Sequence, residues 1–227
     1  MKAMADGTAR TNFDHSACYR DGLHPPTKAG RQQCRTSGPA SRVGTETNRP
    51  TADASPPAAL RDEVAAAEVR QRRAAAAERY RPETVRLLLV AQAPPAADDR
   101  YFYFPDVATQ DTLFRSVARI ILPHTAPTRS NKASLLEQLR DRGVFLIDLK
   151  PDPVDGTVLS PYVPELLARI AELAPERIIL IKADVYDEAY PALARAGLPV
   201  SSVRVPFPAF GQQSAFKAAF SRALAGE

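Results

Sequence analysis

Val85-Arg86-Leu87-Leu88-Leu89-Val90 runs directly into Ala91-Gln92-Ala93-Pro94-Pro95. A short, continuous apolar run without alternation reads as a strand buried on both faces, the kind found in the middle of a parallel sheet. The prolines that follow end the strand and start a loop at its carboxyl end. Working outward, Val144–Leu149 and Arg177–Ile181 repeat the same buried pattern, and Val200–Val205 alternates, as an edge strand does. Helical spacing fills the intervals: Leu60–Arg79, Gln110–Leu122, Ser134–Arg142, Val163–Leu173, Asp184–Ala196 and Gln213–Leu224. Pro82 and Pro123 close two of these helices, Gly143 and Gly197 stop two more, and Asp184 is placed to cap the fifth. Strands separated by helices imply parallel pairing with right-handed crossovers. The expected fold is therefore α/β, a three-layer α/β/α sandwich around a four-stranded, mostly parallel sheet.

The composition splits the chain in two. Residues 1–57 carry 8 Lys and Arg against 5 Asp and Glu, and hold five of the ten glycines and six of the prolines. So few large apolar residues cannot offset chain entropy, which predicts a disordered basic tail over residues 1–57 and a folded domain over residues 58–227. The tail lacks a continuous apolar stretch and does not read as a secretory signal. Both cysteines, Cys18 and Cys34, lie there with His15 and His24, without the spacing of a metal site. The remaining histidine, His124, follows a helix-ending proline and reads as a loop residue. No apolar run is long enough to span a membrane. The expectation is a cytoplasmic monomer without metal or cofactor. Residues 58–227 hold 22 Lys and Arg against 21 Asp and Glu, so the chain's net charge of +4 says little about partners. The first helix is narrow on its apolar side (Leu60, Val64, Ala67) and wide on its arginine side (Arg61, Arg70, Arg72, Arg73, Arg79), which is either a solvated face or a phosphate-contacting one.

In open parallel sheets, ligands bind beyond the carboxyl ends of the strands. That rule selects Gln92 in the first loop, with Arg100-Tyr101-Phe102-Tyr103-Phe104-Pro105 beyond it. It also selects Asp148-Leu149-Lys150 after the second strand, Lys182-Ala183-Asp184 after the third, and Pro206-Phe207-Pro208-Ala209-Phe210-Gly211-Gln212-Gln213 after the fourth. Rings together with amide and carboxylate edges suit a flat heterocycle. Neither a phosphate-binding glycine loop nor a nucleophile-elbow serine occurs. Gln92 orients a ligand or caps its loop. Asp148 lines a pocket, caps, or pairs with Lys150 or Lys182. The alternating aromatic cluster Tyr101–Phe104 is expected to turn two rings inward and two toward the cleft. Phe207, Pro208 and Phe210 form a wedge or pack on the last helix.

Over about residues 59–227 this layout resembles the uracil-DNA glycosylase superfamily, and more closely its divergent bacterial relatives with an Ala-Pro … Arg-Tyr-Phe-Tyr signature. The resemblance implies that Ala91-Gln92-Ala93-Pro94-Pro95 is the first active-site loop. It implies that Phe104, or its neighbours Phe102 and Tyr103, stacks on a flipped base. Asp148 stands where the family reads the base edge with Asn. Phe207-Pro208-Ala209, followed by Gln212 and Gln213, stands for the loop that enters DNA. Apart from the resemblance, Lys182 at the carboxyl end of a fully apolar strand reads as a stabiliser of a leaving base, a phosphate contact or a surface lysine leaving the sheet. At the family's water-positioning carboxylate this chain has Gln92-Ala93, and at its late-loop histidine it has Phe207. An ionised Asp148 accepts hydrogen bonds only and favours an amino-bearing edge. The function expected from the resemblance is base excision by non-standard loops, with nucleic acid as partner. The alternatives are a catalytically inactive nucleic-acid-binding or interaction module, and a nucleoside- or nucleotide-processing enzyme on the same fold.

Overall fold

A computed structural model describes residues 58–226 apart from Gln110 and Val154. The tail expected over residues 1–57, with its cysteines, lies outside the described residues. The elements in chain order are α1 (Ala58–Arg79), β1 (Leu87–Ala91), α2 (Thr112–Ile121), α3 (Lys132–Asp141), β2 (Val144–Asp148), a 3-10 turn (Ser160–Tyr162), α4 (Val163–Leu173), β3 (Ile178–Leu180), α5 (Ala183–Arg195) and α6 (Gln213–Ala225). The sheet is parallel, in the order β2-β1-β3. All five residues of β1 are buried, as its continuous apolar run requires. Among the described residues no helix is long and apolar enough to cross a membrane.

Strand order explains how the helices are distributed. The chain steps from β1 to β2 through α2 and α3, then back across β1 to β3 through α4. With right-handed crossovers these two steps place their helices on opposite faces. The contacts agree: α2 packs with α3 and α6, and α4 with α5. This is an α/β sandwich. Each helix buries one stripe, such as Leu113, Phe114 and Val117 on α2, or Phe216 and Phe220 on α6.

The expected fourth strand is a correction. Val200 and Val205 each form a single parallel bridge, to Ile178 and Ile181, and the chain between them leaves the sheet. Ser201 accepts the Val203 N–H on its own hydroxyl at 3.2 Å, a local bond that replaces a ladder bond. Prolines at 199 and 206 bound the segment. Three strands remain, with a bridged flank.

The first helix also departs from expectation. Leu60 and Val64 are 51% and 58% exposed, and the side that turns inward lies in the last two turns, on buried Arg73 and half-buried Ala76 and Ala77, and continues into buried Tyr80 just past the helix. A stripe containing arginine is invisible to an apolar-periodicity reading. Asp184 does not cap α5. Lys182 occupies that position without a side-chain cap, and Asp184 lies in the first turn. Gly143 is the residue that lets β2 reach β1. Its φ is +74°, its carbonyl accepts from Arg86 and Leu87, and a Cβ would meet Thr84 O at 2.9 Å.

β2 is an edge strand, and Tyr103 covers it. Its hydroxyl accepts from Leu146 N at 2.6 Å and donates to Leu146 O at 3.0 Å. Burial pushes this hydroxyl's pKa well up, so it stays neutral and can do both. Two central backbone groups that a passing strand would use are thereby occupied. Tyr103→Phe leaves them buried and unpaired, with an expected loss of about 1–3 kcal/mol in urea unfolding and an unchanged m-value.

Candidate functional site

A cleft of about 490 Å³ opens beyond the carboxyl ends of the three strands. Gln92, Asp148 and Lys182 all line it, together with rings from Tyr101, Phe102, Phe207 and Phe210. The main chain holds them side by side. Ala91 is in register with Asp148, Leu149 N donates to Ala91 O at 2.8 Å, and Lys150 N donates to Gln92 O at 2.9 Å. On the other side Ile181 N donates to Val90 O at 2.8 Å and Lys182 N to Val205 O at 2.9 Å.

Lys182 adopts φ +87° and ψ 138°, a region nearly reserved for glycine. From this turn its ammonium donates to Gln92 Oε1 and pairs with Asp184 at 2.9 Å. The loop after β1 is clamped from below by α1. Arg73, buried, donates to Pro95 O at 2.8 Å and pairs with Asp98 at 3.6 Å, while Arg72 bonds the Asp98 carbonyl. Arg70 pairs with Asp152 at 2.9 Å. The arginine face of α1 therefore holds loops, which neither sequence reading of that face foresaw.

Of the aromatic cluster, only Tyr101 and Phe102 line the cleft. Two of the four reach the cleft as expected, but they are adjacent residues rather than alternate ones. Tyr103 serves the sheet edge. Phe104 lies under the Arg72 guanidinium at 5.2 Å and edge-on to Tyr101 at 5.4 Å. Phe207 and the fully exposed Phe210 stand at the rim, where Phe210 has φ +51°. Pro208 is buried, and Gln212 and Gln213 are exposed at the start of α6; none of the three lines the cleft. The Tyr101 carbonyl is fixed by Lys132, whose buried ammonium donates to it at 3.0 Å and lies 4.9 Å from the Phe114 ring. Burial lowers the Lys132 pKa to about 8.

Sequence reasoning missed Asp111, which lines the same cleft. It is the N-cap of α2, and its Oδ1 accepts from Phe114 N at 2.7 Å. An Asp just ahead of an apolar helical run is a readable cap signal. Placing the start of the helix at Gln110, itself outside the described residues, concealed it. Among the described residues no group of three or more His, Cys, Asp or Glu is arranged to hold a metal.

Asp148 is half-buried, and its pKa is raised to about 7. Burial is the main cause and the charge of Asp111 the second, with Arg169 and Arg73 pulling the other way. Arg169 donates to the carbonyls of Asp148 and Leu149 at 2.9 and 3.2 Å. The Tyr101 hydroxyl is pushed up by burial and then by Asp148, so it remains a neutral donor. No family model matches the chain, and neither does any curated protein or solved structure.

An acid whose pKa is higher folded than unfolded keeps its proton longer in the native state. Its contribution to stability is present below the unfolded value and is lost as pH rises through the folded one. For Asp148 that window runs from 3.8 to about 7. Asp148→Asn should flatten the fall in stability across it, by on the order of 3 kcal/mol between about pH 4.5 and about pH 7.5, read by urea unfolding at each pH.

Proposed function

We propose that the cleft receives a nucleobase presented by nucleic acid and that the protein is a uracil-DNA-glycosylase-like enzyme hydrolysing the N-glycosidic bond. The observation carrying this reading is that Gln92, Asp148 and Lys182, each from the end of a different strand, line one cleft with the rings of Tyr101 and Phe102. Flat apolar walls with a few polar groups at one end suit a heterocycle that must be stacked and then read along its edge.

In this reading Tyr101 and Phe102 form the wall, and Asp148 reads the edge. Protonated, Asp148 offers one donor and one acceptor, as an amide does; ionised, it only accepts and selects an amino-bearing edge. A pKa of about 7 puts both forms within the working range. Lys182, steered by Gln92, balances the negative charge that develops on the departing base. Phe210, fully exposed at the rim, stacks on or displaces a neighbouring base.

The binding-only alternative is favoured by one observation: the Lys182 ammonium is already engaged by Gln92 and Asp184. Oligonucleotides carrying a single uracil or hypoxanthine separate the two when assayed for alkali-labile sites and for gel retention. Alkali-labile product supports excision, and retention without product supports the binding module. Absence of both product and retention of single-stranded DNA at low salt overturns the nucleic-acid reading. Turnover of free nucleosides alone would point to a small-molecule enzyme. Under the excision reading, Lys182→Met slows single-turnover cleavage by about 10²-fold with retention preserved.

A further inference from the structure

A second carboxylate faces the same cleft. Asp111 sits on the wall formed by the start of α2, flanked there by Thr112 and Leu113. Its backbone is extended, at φ −71° and ψ 123°, and one oxygen is fixed by the Phe114 N–H at 2.7 Å. That bond sets the direction of the side chain and leaves the carboxylate with further lone pairs for a water molecule. The helix N-terminus also favours its negative charge. Asp111 and Asp148 line the same cleft.

The two acids have unlike surroundings. Asp148 lies where burial favours its proton, whereas Asp111 is fixed at a helix start by the Phe114 N–H. Unlike environments for two carboxyls in one cleft divide acid from base roles in glycosidic chemistry. Hydrolysis of an N-glycosidic bond needs an ionised carboxylate to hold the attacking water and to offset positive charge at the anomeric carbon. The loop after β1 supplies none, since Gln92 and Ala93 stand there and an amide is not a base. Among the described residues lining the cleft, Asp111 and Asp148 are the only carboxylates.

We propose that Asp111 is the carboxylate that positions the attacking water and takes its proton. The assignment rests on the excision reading. The water oxygen forms a bond to the anomeric carbon as the bond from that carbon to the base nitrogen breaks. The bonding pair leaves on the base, beside Lys182. One water proton passes to Asp111 and from there to solvent, and the base takes a proton from solvent. The products are the free base and an abasic sugar, with nothing oxidised or reduced.

The rival role is helix capping alone, and asparagine separates the two because it caps as well as aspartate does. Asp111→Asn should leave thermal unfolding and oligonucleotide retention unchanged and lower the single-turnover rate by about 10²–10⁴-fold. It should also weaken binding to an oligonucleotide bearing a cationic pyrrolidine abasic analogue, while leaving the neutral tetrahydrofuran analogue unaffected. Asp111→Ala would lower stability as well. If wild type excises a base and Asp111→Asn keeps its rate and its preference for the cationic analogue, Asp111 is only a cap and the assignment falls while the excision reading stands. If wild type neither excises nor binds any substrate, both fall.

Discussion

The backbone pairing of β1 with β2 on one side and β3 on the other is the constraint on which the rest depends. β1 buries all five of its residues, so it can sit only at the centre of the sheet, and both neighbours must be parallel to it. Parallel strands end on the same side. The ladder also continues past the strands proper, through Leu149 N to Ala91 O, Lys150 N to Gln92 O and Ile181 N to Val90 O. Gln92, Asp148 and Lys182 are therefore neighbours because strands held roughly 4.8 Å apart by their hydrogen bonds leave them nowhere else to be. Gly143 guards this arrangement at the opposite end, since any Cβ there would press on Thr84 and Arg86 and push β2 from β1.

That dependence accounts for what could be read in the sequence. Continuous apolar runs and helical spacing gave the order of elements over residues 58–227, and the strand-end rule gave three residues that do share a cleft. The failures have local causes. Val200–Val205 alternates as a strand does, but the Ser201 hydroxyl and the flanking prolines hold its backbone off the ladder between Val200 and Val205. Tyr103 and Phe104 look like stacking rings, yet one is needed at the open edge of β2 and the other is covered by Arg72. A sequence shows that rings are present; only the partners across space show which of them are already used.

Arginine was the residue type least legible in advance. Arg73 occupies a core position on α1 because its guanidinium meets the carbonyls of Pro95 and Ala97 and the charge of Asp98. A turn without regular hydrogen bonding needs such donors when it is half-buried, because its carbonyls have no strand to pair with. Polar satisfaction of this kind leaves no periodic trace. The same holds for Asp111, whose dual position as helix cap and cleft wall follows from where α2 begins, and the start of a helix is the part of it least fixed by apolar spacing.

Several charges of the described residues pair with one another. Arg70 pairs with Asp152, Arg204 with Asp187 at 2.5 Å, and Lys150 with Asp155 at 2.5 Å. At the cleft a few groups act on Asp148, and these oppose one another. Burial and then Asp111 raise the pKa of Asp148; Arg169 and Arg73 lower it. The same Arg73 holds the loop that carries Gln92, and Gln92 in turn meets the Lys182 ammonium. Lys182 is held there in a glycine-like conformation that costs on the order of 1–3 kcal/mol. That conformation holds its ammonium against Gln92 and Asp184, where the three strand ends meet.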